Sequence, residues 1–244
     1  QEELLTFLEQ YDIGDLIDFE GILEGIENSN FKIFTKDNIY ILTIFEKRVN
    51  PKDLPFFIDL QSHLSEKKFF CPIPIKNKKG ESINLLKGKS TILISYLIGK
   101  KTPIVSIKNC KQVGEVLSLL HAKTIDFNQK RKNTMNLIQL KNIFSKCNRL
   151  EFNKFKNIMP HINKELIFLE KEWPKDLPNG IIHGDVFQDN VFFNNNNFTG
   201  LIDFYFSCND FLAYDIAITI NAWCFDNNYN FNKNKFISLI EGYE

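Results

Sequence analysis

Apolar residues recur three and four apart through Leu4, Leu5, Leu8 and Tyr11, a spacing that predicts a helix across residues 1–20, broken by Gly21 and Gly25. The period then shortens. Residues 30–35 and 39–45 read as two strands joined by Lys36-Asp37-Asn38, a turn suited to a hairpin. From Pro51 to Leu64 the helical period returns, with Asp53 in the opening turn and Phe56, Phe57, Leu60 and Leu64 on one apolar face, and Cys71-Pro72-Ile73-Pro74 closes that segment. Residues 90–97, centred on Ile92-Leu93-Ile94, read as a buried strand. Beyond Gly99 the pattern is mostly helical to about Pro178, clearest over residues 110–121 and 150–172. Two short apolar runs, Val191-Phe192-Phe193 and Gly200-Leu201-Ile202, flank Asn194-Asn195-Asn196-Asn197 as a second hairpin, and a helix follows over 214–222. The expected architecture is α+β, a strand-rich part over residues 1–98 and a helix-rich part over 99–244, with a cleft between them.

Composition narrows the class. The chain has 244 residues, 43% hydrophobic and 25% charged, enough to bury a substantial core as a soluble globular protein. Lys plus Arg equals Asp plus Glu at 30 each, so nothing in the balance points to nucleic acid or an anionic membrane surface. The five cysteines include no C-x-x-C pair, which argues against a disulfide framework or a structural zinc site and for a reducing cytoplasm. No apolar run reaches the roughly 18 residues of a membrane helix, and the first residues are acidic and amphipathic rather than a leader. Gly88-Lys89-Ser90 ends like a P-loop, but Ile83 stands where that loop needs its first glycine, so the triplet is read as a turn.

The chemistry is concentrated in His183-Gly184-Asp185-Val186-Phe187-Gln188-Asp189-Asn190, followed by Asp203-Phe204. An H-x-D-x-x-x-x-N loop with a later Asp-Phe is the layout of a phosphoryl-transfer site: the first Asp accepts the proton of an acceptor hydroxyl, and the Asn and second Asp hold Mg²⁺. Asp185 is the expected base, with Asn190 and Asp203 as metal ligands. The 191–202 hairpin would carry Asp203 back beside Asn190, so that both reach one hard cation through oxygen. His183 is expected to be a hydrogen-bonded scaffold of the loop. Between Gly21 and Asn30 lies a stretch placed to cover ATP phosphates, with Ser29 and Asn30 as donors.

With Glu24–Phe31, Glu46-Lys47-Arg48, Leu54-Pro55-Phe56-Phe57, Asp203-Phe204-Tyr205-Phe206, Tyr214–Ala217 and Asn221–Cys224 added to the catalytic loop, nearly the whole chain resembles the aminoglycoside phosphotransferase-like kinases and, among them, their homoserine kinase branch. The resemblance implies a two-lobed protein-kinase-like fold with a β-rich N-lobe and a mainly helical C-lobe. It also implies ATP and Mg²⁺ as cofactors and transfer of the γ-phosphate to L-homoserine. It makes Ser95 to Leu97 the hinge whose backbone meets adenine, and Asp215 a brace of the catalytic loop. Arg48 is the cation expected for the substrate carboxylate, while Asn221 and Trp223 would line the acceptor pocket, Trp223 being otherwise a core residue. Choline, ethanolamine or an aminoglycoside as acceptor, and a nucleotide-binding module without turnover, stay open as alternatives. Two departures stand out. Thr43 occupies the strand position where related kinases carry the lysine for the α- and β-phosphates, so that charge either comes from elsewhere, with Lys32 and Lys47 as candidates, or is missing. The sequence also stops within an apparent helix at residues 239–244, which gives the expectation of a truncated chain.

Overall fold

The computed structural model describes residues 2–23, 28–46, 49–149 and 157–244, with the side chains of residues 148 and 149 left aside. Helix α1 (Glu2–Leu8) is short, and the chain then enters strand β1 (Leu16–Ile22). The helix expected over 1–20 therefore ends at Leu8, and Gly21 belongs to a strand. Four more strands complete an antiparallel sheet: β2 (Asn28–Thr35), β3 (Ile39–Phe45), β4 (Ile83–Leu86) and β5 (Lys89–Ser95), in the order β1-β2-β3-β5-β4. Strand β4 had no counterpart in the sequence reading. The Lys87-Gly88 turn joins β4 to β5 with both residues at positive φ, so the apparent P-loop ending is part of a hairpin.

Strand alternation gives the sheet two apolar faces. The outer one buries Ile33, Leu42 and Leu93 under Phe7 and Leu8 of α1 together with Tyr11 and Ile13. The inner one contributes Phe45, Ile92 and Ile94 to the main core, where they meet Leu54, Phe57, Leu60 and Leu64 of α2 (Leu54–Glu66). Helix α2 follows a 3-10 turn at Pro51–Asp53, opened by Asn50, whose side chain accepts the Lys52 N–H at 3.1 Å.

The rest of the chain is mainly helical: α3 (Ile107–Lys123), α4 (Leu137–Arg149), α5 (Met159–Glu172), α6 (Leu212–Trp223) and α7 (Lys233–Tyr243). Residues 150–156, the start of the helix expected over 150–172, lie outside the described residues. A reciprocal capping box between Ser106 and Asn109 starts α3. Its Gly114 lets α7 approach backbone to backbone: a Cβ there would lie 2.0 Å from the Leu239 carbonyl oxygen, and one on Gly242 would lie 2.1 Å from that of Lys111. Two small two-stranded sheets carry the motif residues. Strands β6 (Asn179–Ile182) and β9 (Cys208–Phe211) pair antiparallel, as do β7 (Val191–Asn194) and β8 (Asn197–Leu201). Among the described residues no helix is long and apolar enough to cross a membrane.

Candidate active site

The loop from His183 to Asn190 leaves β6 and enters β7, and its shape is set by buried hydrogen bonds rather than by regular structure. Asp215, fully buried on α6, accepts the His183 N–H at 2.7 Å on one carboxylate oxygen and the Gly184 N–H at 2.9 Å on the other. The residue expected to brace the loop thus grips its first two peptides. His121 of α3 supports it from behind, with Nε2 3.1 Å from Asp215 Oδ2 and Nδ1 2.8 Å from the Tyr243 hydroxyl. The His183 ring, also fully buried, donates from Nε2 to the Ile202 carbonyl at 3.0 Å and accepts the Asp185 N–H on Nδ1 at 3.2 Å. Burial pushes its pKa down to about 4, against the opposing pull of the Asp215 charge, so the ring is neutral and serves as a scaffold.

That scaffold brings the three motif residues together. Asn190 donates its amide N–H groups to the Asp185 carboxylate at 2.8 Å and to the Asp185 carbonyl at 2.9 Å. With Nδ2 committed in this way, Asn190 Oδ1 is the atom left to act as a ligand. The Ile202 N–H donates to the Asn190 carbonyl at 2.9 Å, which places Asp203 beside Asn190 across the hairpin. The turn of that hairpin is Asn195-Asn196, at φ 49° and 60°, as the asparagine run led us to expect. Asp203 itself has a left-handed backbone, φ 63° and ψ 68°, and its Oδ1 is sealed from solvent. Among the described residues no group of three or more His, Cys, Asp or Glu could hold a metal alone. An amide oxygen and a carboxylate instead suit a hard divalent cation that takes its remaining ligands from water and phosphate oxygens.

The profile of the phosphotransferase enzyme family matches residues 18–244. The chain belongs to that family. It is 44% identical over 244 residues to the homoserine kinase of Agrobacterium fabrum, covering all of this chain and 76% of that protein. The homoserine kinase of Bartonella henselae is 43% identical over 242 residues, with 99% and 76% of the two chains covered. Among solved structures, spectinomycin phosphotransferase in complex with ADP and spectinomycin superposes with a TM-score of 0.77 at 18% identity, over 99% of this chain and 79% of the other. Amicoumacin kinase with AMP-PNP and Ca²⁺ gives 0.74 at 14% identity, over 100% and 77%. These two structures share the kinase-like fold.

The remaining motif residues of this phosphotransferase divide into several cases. Asn30 faces the inner side of the sheet, where its Oδ1 accepts the Thr43 hydroxyl at 2.9 Å. Ser29, one residue earlier in β2, faces the outer side, and its hydroxyl donates to Glu46 at 3.0 Å. Ser95 Oγ accepts the Ile73 N–H at 2.9 Å, and Leu97 crosses so close over Gly200 that a Cβ there would lie 2.5 Å from Leu97 Cδ1. Asn221 is exposed at the end of α6, next to Ala222, whose carbonyl accepts the Gln188 amide at 2.8 Å. Trp223 is a correction: it lines no acceptor pocket but is fully buried and donates its indole N–H to the Val186 carbonyl at 2.8 Å, fixing the 183–190 loop from below. Arg48 and Lys47 lie outside the described residues, as does 24–27 of the expected phosphate loop. Lys32 pairs with Glu20 at 3.4 Å and sits over the rings of Phe34 and Tyr96, two residues along β2 from Asn30 and towards the 95–97 crossing. Sequence reading missed His121 and Arg131, whose roles come from partners distant in the chain and leave no local signature.

Proposed function

We propose that this phosphotransferase moves the γ-phosphoryl group of ATP to the side-chain hydroxyl of L-homoserine. The juxtaposition of Asp185, Asn190 and Asp203 across one hairpin carries the chemistry, and likeness to homoserine kinases along the full chain carries the acceptor. In this reading Asp185, oriented by the Asn190 amide, accepts the hydroxyl proton as the acceptor oxygen bonds to the γ-phosphorus. The bond to the β-phosphate oxygen breaks and ADP leaves. Asn190 Oδ1 and the Asp203 carboxylate are the protein ligands for Mg²⁺, which when bound offsets phosphate charge. Asn30 and the Ser95–Leu97 crossing contact the nucleotide, with Ser29 offering its backbone rather than its outward-facing hydroxyl, the two parts of the chain dividing near residue 98, and Asn221 faces the acceptor.

The test is ADP release with Mg-ATP and L-homoserine, L-serine, choline or no acceptor. Turnover is expected with homoserine alone, and Asp185→Asn should lower it by roughly 10²–10⁴-fold, the range of general-base assistance. Turnover with choline in place of homoserine would transfer the acceptor reading to another amino alcohol. Nucleotide binding without turnover on any acceptor would make the chain a binding module.

A further inference from the structure

In protein kinases the placement of the helix behind the sheet is fixed by an ion pair between its glutamate and the β3 lysine, and that pair must be formed for the metal aspartate to work. Here the corresponding β3 residue is Thr43, which carries no charge and whose hydroxyl donates to Asn30 and also bonds the Tyr205 hydroxyl. Helix α2 is instead gripped from the opposite side, by the segment that follows α3. Phe127 packs edge-on against Phe56 with centroids 5.7 Å apart, and Gln129 donates to Asp59. Arg131 Nε donates to Asp53 at 2.9 Å, and its guanidinium lies over the Phe57 ring at 4.9 Å.

The same arginine reaches the metal loop. Its Nη1 donates to the Ser207 carbonyl at 3.1 Å, and its backbone exchanges two 2.8 Å hydrogen bonds with Asn209, one to the side chain and one from the N–H. Phe57, stacked under Arg131, also meets Tyr205 edge-on at 5.6 Å. Asp203 therefore begins a short segment, 203–209, whose far end is tied through one guanidinium to Asp53, the residue immediately before α2. Asp203 at the head of this segment has a left-handed backbone, a conformation that costs a non-glycine residue energy and has to be supported by its surroundings.

We infer that Arg131, through its pair with Asp53, is the positioning residue that locks α2 and the Asp203 segment into one unit, the task given elsewhere to the lysine–glutamate pair. The inference rests on the phosphotransferase reading but not on the identity of the acceptor.

Calorimetric titration of ADP over a series of Mg²⁺ concentrations tests it with no acceptor present, using the wild type, Arg131→Met, Arg131→Lys, Asp53→Asn and the double variant Asp53→Asn/Arg131→Met. Loss of a residue that orients a metal ligand costs roughly 10–100-fold in metal affinity. The Mg²⁺ concentration that half-saturates the enhancement of ADP binding should rise by about that factor in Arg131→Met and Asp53→Asn. The double variant should be no worse than the poorer single, because both remove one interaction. Arg131→Lys should fall between, keeping the charge and losing the fork. Binding of ADP without Mg²⁺ should not change. A lowered melting temperature with an unaltered Mg²⁺ response would overturn the proposal and leave Arg131 a stabilising residue only. Should Arg131→Met fail to fold, Asp53→Asn, at a partly exposed side chain, carries the same test alone.

Discussion

His183 shows how far a single side chain can be committed by its surroundings. Both ring nitrogens are satisfied in the neutral form, since Nε2 donates to Ile202 and Nδ1 accepts from Asp185, and a proton on Nδ1 would break the second bond. Its folded pKa of about 4 lies below the ordinary value of 6.5, so the stabilisation is complete above pH 6.5 and is lost as pH falls towards 4. The loss amounts to at most about 3 kcal/mol. Urea unfolding at a series of pH values should show stability falling between pH 6.5 and 4, and His183→Gln should flatten the curve in that window. The proposed roles of Asp185, Asn190 and Asp203 could be read from sequence because each sits at a fixed offset in one motif. Trp223 could not, because an aromatic residue at a helix end serves a pocket or a core equally well until its neighbours are known. Arg131 stayed hidden for a related reason, its three partners being scattered over Asp53, Ser207 and Asn209.

Elements with a strong period or a marked turn, the short β7–β8 hairpin included, were legible, and short ones with neither were not. Strands β2 and β3 run for 8 and 7 residues with a clear polar turn, whereas β4, β6 and β9 have 4 residues each, too few to establish a period. Strand β1 was missed because the apolar spacing of Leu4, Leu5, Leu8 and Tyr11 carried the helical reading past Leu8, where the helix ends. The α3–α7 pair adds to its apolar contacts a backbone approach at Gly114 and Gly242, which no apolar period in the sequence announces. Replacing Gly114 by Ala would put a methyl group 2.0 Å from the Leu239 carbonyl oxygen, and neither backbone has room to yield cheaply. Gly114→Ala should therefore destabilise the protein by roughly 1–3 kcal/mol, the usual cost of overpacking, measured as a shift in the urea midpoint.

At the scale of the molecule, the change of character at Gly99 made the sheet-then-helix plan visible, while the wiring between the parts became visible only in three dimensions. Gly99 and the residue after it lie against the β7–β8 hairpin, where Lys100 and Phe193 exchange backbone hydrogen bonds at 2.9 and 3.1 Å. Behind the site, Tyr243, His121 and Asp215 form a line of side chains from α7 through α3 to α6 and on to the His183 and Gly184 peptides. Tyr243→Phe removes the outermost link. It should cost about 1 kcal/mol in denaturant unfolding and lower kcat by less than tenfold, with the KM for ATP unchanged.

The line from Tyr243 to the catalytic loop also has a meaning in time. A ribosome releases His183 and Gly184 well before α7, at about 5–20 residues per second, so the loop leaves the tunnel seconds ahead of the helix that steadies its brace. Nascent chains stalled before Lys233 would hold Asp215 and His121 without Tyr243 to orient the imidazole. Maturation of the site thus waits on α7, whose backbone must close against Gly114 before the brace is complete.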